Sequence, residues 1–215
     1  MKQSIYYVDL ERNRMKIMIL GAGTFAPVIF CYLRERYHAK DLFFYNPTGP
    51  DSLLDRPVFH NPEQAKDIDF VVSGVGNPEI KRIMAEEIQL PGMPYVSSYA
   101  HIADVTDMTE IGEGSIVAPG CALTFDIHVG KFCTISPNTT IGHNTLIGDY
   151  SNISASCGIA GNVTIGKGCS VGMRTTIKQQ ISICDNTTIG MGAVVTKDIV
   201  EPGVYVGCPA KRISK

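Results

Sequence analysis

Thr139-Thr140-Ile141-Gly142-His143-Asn144-Thr145-Leu146-Ile147-Gly148-Asp149-Tyr150 contains one six-residue pattern twice: a small residue, a variable one, an aliphatic, then a turn. Followed outward, the aliphatic recurs at every sixth position: Val105, Ile111, Val117, Leu123, Val129, Ile135, Ile141, Ile147, Ile153, Ile159, Ile165, Val171, Ile177, Ile183, Ile189 and Val195. A helix repeats every 3.6 residues and a strand every 2, so neither element generates this spacing. A chain wound into coils with three short flat faces does.

Two flanking positions carry the same period. The residue two before each aliphatic is mostly Ala, Ser, Thr, Cys or Val, the choice expected for a small side chain pointing inward near a corner. The residue just after it is mostly Gly, Ala, Ser or Thr, as expected where the backbone turns through angles that a Cβ makes costly. The pattern is the hexapeptide repeat of a left-handed parallel β-helix. Three hexads close one coil, so residues 18 apart stack on one edge at about the 4.8 Å spacing of neighbouring strands.

The 215 residues, 44% hydrophobic and with a net charge of −2, fit a globular chain with neither nucleic acid nor membrane as partner. No run reaches the ~20 apolar residues of a bilayer span, and Met1-Lys2-Gln3-Ser4 leads into no signal-peptide core, so a cytoplasmic location is expected. Of the seven cysteines, Cys121, Cys133, Cys157 and Cys169 fall in the small inward slot, where a reduced thiol acts as a compact hydrophobe. There is no C-x-x-C pair and no metal site is expected.

Ahead of the repeats, the apolar run Met15 to Leu20 enters Gly21-Ala22-Gly23-Thr24-Phe25-Ala26. An amphipathic stretch to about Tyr37 follows, then Leu42 to Tyr45, a polar loop, a buried strand over Ile68 to Ser73 and a helix over Pro78 to Gln89. This α/β arrangement is a βαβ, half-Rossmann unit of about 80 residues, half of a complete dinucleotide fold. Its glycine turn suits a phosphate or one nucleotide at a helix N-terminus. A full NAD site is not expected, since Tyr45-Asn46-Pro47 supplies no acid for a ribose diol. Two domains are expected, 1–98 and 99–215, joined through Pro91 to Tyr99. The tail from Ile199 should fold back on the last coil.

Reading each edge as a column gives three characters. Glu113, Lys131, Asp149, Lys167 and Asp185 alternate in sign and form an expected surface ion-pair ladder. Pro119, Pro137, Ala155, Met173 and Met191 form an apolar column suited to another subunit or a ligand's alkyl arm. The third column runs Asp107, Phe125, His143, Gly161, Gln179, Lys197, where glycine above His143 leaves space beside the ring. Imidazole, with its unperturbed pKa near 6.5, suits a general base; a polar turn residue is the plainer reading of His143. His128 should point outward, and His38, His60 and His101 fall in loops or helix ends.

Ile141-Gly142-His143-Asn144, Gly158 to Ile165, Ile189 to Lys197 and Val206-Gly207-Cys208-Pro209-Ala210-Lys211, with Gly21-Ala22-Gly23 and Gly76-Asn77-Pro78, resemble the PglD/NeuD-like hexapeptide acyltransferases. The resemblance spans Lys16 to Ile213. It implies an acetyl-CoA-dependent N-acetyltransferase acting on the amino group of a nucleotide-linked amino-deoxysugar in surface glycan synthesis. It implies His143 as base, with Asn144 beside it, direct attack without an acyl-enzyme, and an oxyanion donor near Gly161. It places the nucleotide sugar at Gly23, Thr24, Phe25, Asn46 and Gly76, and acetyl-CoA at Asn152, Gly161, Met173 and Lys211, with Arg212 near, between subunits of a homotrimer. The chain departs from the family at Asn144, where relatives carry Glu or Asp, at Phe25, where they commonly carry histidine, at Tyr45-Asn46, where they carry acids, and at Asn152, a frequent histidine. A sugar or sialic-acid O-acetyltransferase is the alternative activity. A carbonic-anhydrase-type hydratase lacks suitably spaced histidines, and a non-catalytic scaffold is the remaining class.

Overall fold

The computed structural model describes residues 15–34, 38–89, 96–97, 104–106 and 108–213. Met1 to Ser4, His101, Asp107 and most of the 91–99 linker lie outside them. The N-terminal unit is a five-stranded sheet of β1 (Ile17–Leu20), β2 (Leu42–Tyr45), β3 (Ser52–Leu53), β4 (Arg56–Phe59) and β5 (Phe70–Ser73), in the order β3-β4-β2-β1-β5. Helices α1 (Ala26–Leu33) and α2 (Pro78–Ile88) complete it. β1 is buried along its whole length between β2 and β5, as an apolar run in a parallel sheet must be. α2 starts at Asn77, whose side chain accepts the Ile80 N–H at 3.0 Å, with Pro78 in its first turn.

The stretch after β2, expected to be a polar loop, is corrected to β3 and β4. β4 pairs in parallel with β2 (Phe44↔Val58) and antiparallel with β3. Its Arg-Pro-Val-Phe sequence buries only Val58, too little alternation to announce a strand; its proline sits opposite Ser52 of the two-residue edge strand β3.

The remaining chain is the expected β-helix. Its first face stacks Val96–Ser97, Ile116–Val117, Thr134–Ile135, Asn152–Ile153, Ser170–Val171 and Thr188–Ile189. The second stacks Asp104–Val105, Ala122–Leu123, Thr140–Ile141, Gly158–Ile159, Thr176–Ile177 and Val194–Val195. The third stacks Thr109–Ile111, Ile127–Val129, Leu146–Ile147, Thr164–Ile165 and Ser182–Ile183. Each coil pairs in parallel with the one 18 residues on, for example Ile141↔Ile159. The tail folds back as expected: Val204–Val206 extends the first face and Lys211–Ile213 pairs antiparallel with it.

Every repeat aliphatic from Val117 to Val195 is buried. The slot two residues earlier is equally closed from Thr109 to Ala193, and most of its polar members bond to a carbonyl across the coil. Ser151 Oγ donates to Gly166 O at 2.9 Å, Thr139 Oγ1 to Ser154 O at 3.1 Å, and Cys157 Sγ to Gly172 O at 3.2 Å. The slot cysteines are therefore corner donors as well as hydrophobes, and burial pushes the Cys133 and Cys169 thiols up to about 11. All seven cysteines are free.

The expected reason for small residues after each aliphatic is corrected. Among the described residues of the coils, none of those positions has positive φ; a Cβ on Gly148 would lie 2.6 Å from Lys167 N, because the next coil's backbone passes there. The left-handed residue comes two positions later, at every sixth residue from Gly114 to Gly192, where Asn138, Asn144, Asn162 and Asn186 hold φ of 56–60°. Asn is among the residues that visit this region at low cost.

The N-terminal unit covers the first face. Ile116 joins the core under α1, while Phe132 and half-buried Tyr150 pack with Met84 and Ile88 of α2. The two rings are stacked at 5.9 Å.

Candidate active site

The edge joining the second and third faces carries His143, opposite the face that the N-terminal unit covers. Its ring lies directly over Gly161 in the next coil: a Cβ there would sit 2.6 Å from Nε2 and 2.7 Å from Cε1. The space expected beside the histidine is thus occupied by the ring itself. His143 is exposed, and its Nδ1 is 2.7 Å from Asn144 Oδ1. Asn144 Nδ2 donates to Asp126 Oδ2 at 2.7 Å, and Asp126 Oδ1 is 3.4 Å from His128 Nε2. His128 Nδ1 is 3.0 Å from Glu110 Oε2. His128 points outward, as expected. Asp126, which the sequence reading passed over, is 18 residues before Asn144 on the same edge and was visible by the stacking rule.

Gly23, Thr24 and Phe25 form the turn between β1 and α1, and Asn46 and Gly76 follow β2 and β5, so all five gather at the carboxyl ends of neighbouring strands. This is where open α/β sheets present ligands. Gly21 has φ +98° and no room for a Cβ, which would meet Val75 Cγ2 at 2.7 Å. Gly23 and Gly76 differ: neither has a left-handed φ, and a Cβ on either would meet nothing within 4 Å. Asn46 is tied down locally, its side chain to Thr48 O and its carbonyl to His60 Nδ1 at 2.8 Å.

The residues expected to meet one cosubstrate are spread around the solenoid. Gly161 shares the His143 edge. Met173, half exposed, lies on the edge between first and second faces beside exposed Met191. Lys211 is exposed on the tail strand. Asn152 lies on the first face, where its amide donates to Gly76 O and its Oδ1 accepts from Lys81 Nζ at 2.6 Å.

Lys81 is a second residue that sequence reading missed. It is fully buried between α2 and the first face, with Thr134 Oγ1 at 3.3 Å and no carboxylate beside it among the described residues. Burial pulls its amine down to about 7. Its signal is its spacing: Lys81, Met84, Ala85 and Ile88 form the i, i+3, i+4, i+7 stripe that α2 buries. The charge ladder forms as expected, with Lys131 Nζ 2.6 Å from Glu113 and Lys167 Nζ 3.1 Å from Asp149. Beside it a cavity of about 530 Å³ opens between the start of α2 and the ladder, lined by Asn77, Arg82, Lys167 and Ser170 among others. No cluster of His, Cys, Asp and Glu among the described residues could hold a metal. No described helix is long and apolar enough to cross a membrane.

Fold and repeat define a left-handed β-helix protein built from hexapeptide repeats and preceded by a small α/β unit. Residues 162–197 match the family described as bacterial transferase hexapeptide (six repeats). Among characterised proteins, the chain is 29% identical over 76 residues to the GDP-perosamine N-acetyltransferase of Escherichia coli O157:H7; the match covers 35% of this chain and 34% of that one. The acetyltransferase domain of PglB from Neisseria gonorrhoeae FA1090, solved with acetyl coenzyme A, is 23% identical, with a TM-score of 0.82, over 94% of this chain and all of that one. PerB from Caulobacter crescentus, solved with CoA and GDP-perosamine, is 19% identical, with a TM-score of 0.79, over 92% of this chain and 97% of that one.

Proposed function

We propose that the protein is an acetyl-CoA-dependent N-acetyltransferase that acetylates the amino group of a nucleotide-linked amino-deoxysugar. The observation that carries this reading is His143: an exposed imidazole over a glycine, its Nδ1 engaged by Asn144, its Nε2 free of any partner among the described residues. Relatives that bind CoA or acetyl-CoA, and in one case GDP-perosamine, support the choice of substrates.

In this reading residues 1–98 form the nucleotide-sugar domain and 99–215 the acyltransferase domain. Gly23 and Gly76 leave open space that a bound sugar nucleotide fills, with Thr24, Phe25 and Asn46 around it. The amine attacks the thioester carbonyl carbon while Nε2 of His143 takes its proton. The Gly161 N–H, which has no acceptor among the described residues, would stabilise the oxyanion. As the C–S bond breaks, the imidazolium returns a proton to the departing CoA sulfur, so no acyl-enzyme forms.

The sugar-nucleotide residues lie over the first face and His143 on the opposite edge, a separation that supports a site shared between copies in a homotrimer. The apolar Met173 column would meet the pantetheine arm or a neighbour, and Lys211 a CoA phosphate. Asn152, which joins Gly76 to Lys81, would act on the cofactor from the domain junction. The reading places the enzyme in the cytoplasm, in glycan assembly.

The test is thiol release from acetyl-CoA against a panel of UDP-, dTDP- and GDP-amino sugars and free sialic acids, with wild type and His143→Ala compared. Turnover on an amino sugar nucleotide, lost in the variant, is expected. Turnover on hydroxyl acceptors alone would move the protein to O-acetylation, and unchanged variant activity would remove His143 as base. Sedimentation should give a trimer.

A further inference from the structure

The corner conformation accounts for an Asp or Asn wherever one holds a left-handed position, so Asp126 (φ 50°) and Asn144 (φ 56°) need no other reason to be there. What distinguishes Asn144 from Asn138, Asn162 and Asn186 is the pairing of a histidine before it with a carboxylate one coil below it.

An amide can be turned end for end, and an imidazole can carry its proton on either nitrogen. Here the choice is made from below. An ionised carboxylate can only accept, so Asn144 must present its NH₂ to Asp126 Oδ2, 2.7 Å away. Its carbonyl oxygen then faces His143 Nδ1 at 2.7 Å, and an oxygen can only accept, so Nδ1 carries the hydrogen. Nε2 is left with its lone pair, over Gly161 and open to solvent. The second oxygen of Asp126 is faced by His128 Nε2 at 3.4 Å, and His128 is held in turn by Glu110.

We propose that Asp126 is a positioning residue that selects the Nδ1–H tautomer of His143 by orienting the Asn144 amide. A carboxylate directly behind a catalytic imidazole fixes its tautomer in other enzymes. In this chain the amide relays that function across one coil, which reconciles the family's missing acid after His143 with a working base. The catalytic part of the inference rests on the proposed function; the tautomer does not.

The experiment combines two readouts. On ¹⁵N-labelled protein at a pH where the ring is neutral, two-bond ¹H–¹⁵N correlation identifies which nitrogen of His143 is protonated. Wild type is expected to be the Nδ1–H form. Asp126→Gly, which keeps the left-handed backbone relaxed, should move it toward Nε2–H, while Asp126→Asn, whose amide can donate as well as accept and so no longer dictates the Asn144 orientation, should give a mixture of the two tautomers. With an accepted sugar, Asp126→Gly should lower kcat by about 10–100-fold with little change in KM, in the range of losses for groups that orient a reacting ligand, and Asp126→Asn should fall between it and wild type. An Nε2–H wild type, or an unchanged tautomer in a folded Asp126→Gly, would overturn the inference. A shifted tautomer with undiminished kcat would remove Asp126 from catalysis. Because the spectrum needs no substrate, inactivity on every sugar would count against the proposed function alone.

Discussion

Lys81→Met should make the stability of the protein less dependent on pH, and the size of the change follows from the burial of one amine. Lys81 is fully buried, and its only polar partners among the described residues are Asn152 Oδ1 and Thr134 Oγ1, both uncharged. The folded amine gives up its proton near 7, against an ordinary value of 10.5 in the unfolded chain. Between those values the unfolded state holds more protons than the folded state, so the Lys81 contribution makes stability rise with pH. Below 7 both states are protonated and the penalty for burying the cation is present in full. At about 1.4 kcal/mol per unit, raising the pH from 7 to 9 relieves about 3 kcal/mol. Methionine fills a similar volume and does not titrate. Urea unfolding of wild type and Lys81→Met at pH 6, 7, 8 and 9 isolates this contribution, because the other titrating groups are common to both. The stability difference should favour methionine most at pH 6 and shrink by about 3 kcal/mol by pH 9. A difference that is flat across the series would mean that the amine is solvated or paired in the folded protein, and the reasoning fails.

Gly161→Ala adds a Cβ 2.6–2.9 Å from three atoms of the His143 ring, on a backbone that tolerates alanine. The ring should swing away, with kcat for the proposed reaction down by about 100-fold and thermal stability little changed; an unshifted kcat would show that the ring position does not matter. Ile165→Ala, at a fully buried repeat position, should cost about 2–5 kcal/mol in denaturant unfolding. Leu146→Ala, on the outward side of the same face and half exposed, should cost less than about 1 kcal/mol.

The solenoid was legible because its signal is redundant. An aliphatic and a small residue both point inward in each hexad, so composition at two positions reports one geometry. The turn was misread by two residues because smallness and left-handedness are different constraints that a list of glycines does not separate. At Gly148 the neighbouring backbone excludes a Cβ, whereas at Asn138 and Asn162 φ is positive and a side chain fits. The N-terminal unit was only partly legible. β1, β2 and β5 are apolar and buried, but β3 has two residues and β4 buries only one, so their periodicity is too short to read. His143 was found from its column. Asp126 was missed because it belongs to the column one residue on from that of His143, and an aspartate at a turn carries no signal of its own until its neighbour 18 residues later is considered.

That omission points to how this fold builds a site. A β-helix edge offers few side chains per coil, and several of those are fixed by geometry: one must be small where the next coil passes, and one must accept a left-handed backbone. A functional group must therefore be assembled vertically, from residues 18 apart, and the geometric positions become the supporting cast. Gly161 is that case on the His143 edge: its missing Cβ provides the bed for the ring. Asn144 and Asp126 satisfy the corner angle and supply the two hydrogen bonds that hold the ring's orientation. An acidic residue directly after a histidine would meet that need within one coil. Here the same need is met across two, at the cost of no additional position, because Asp and Asn are residues that the corner already favours.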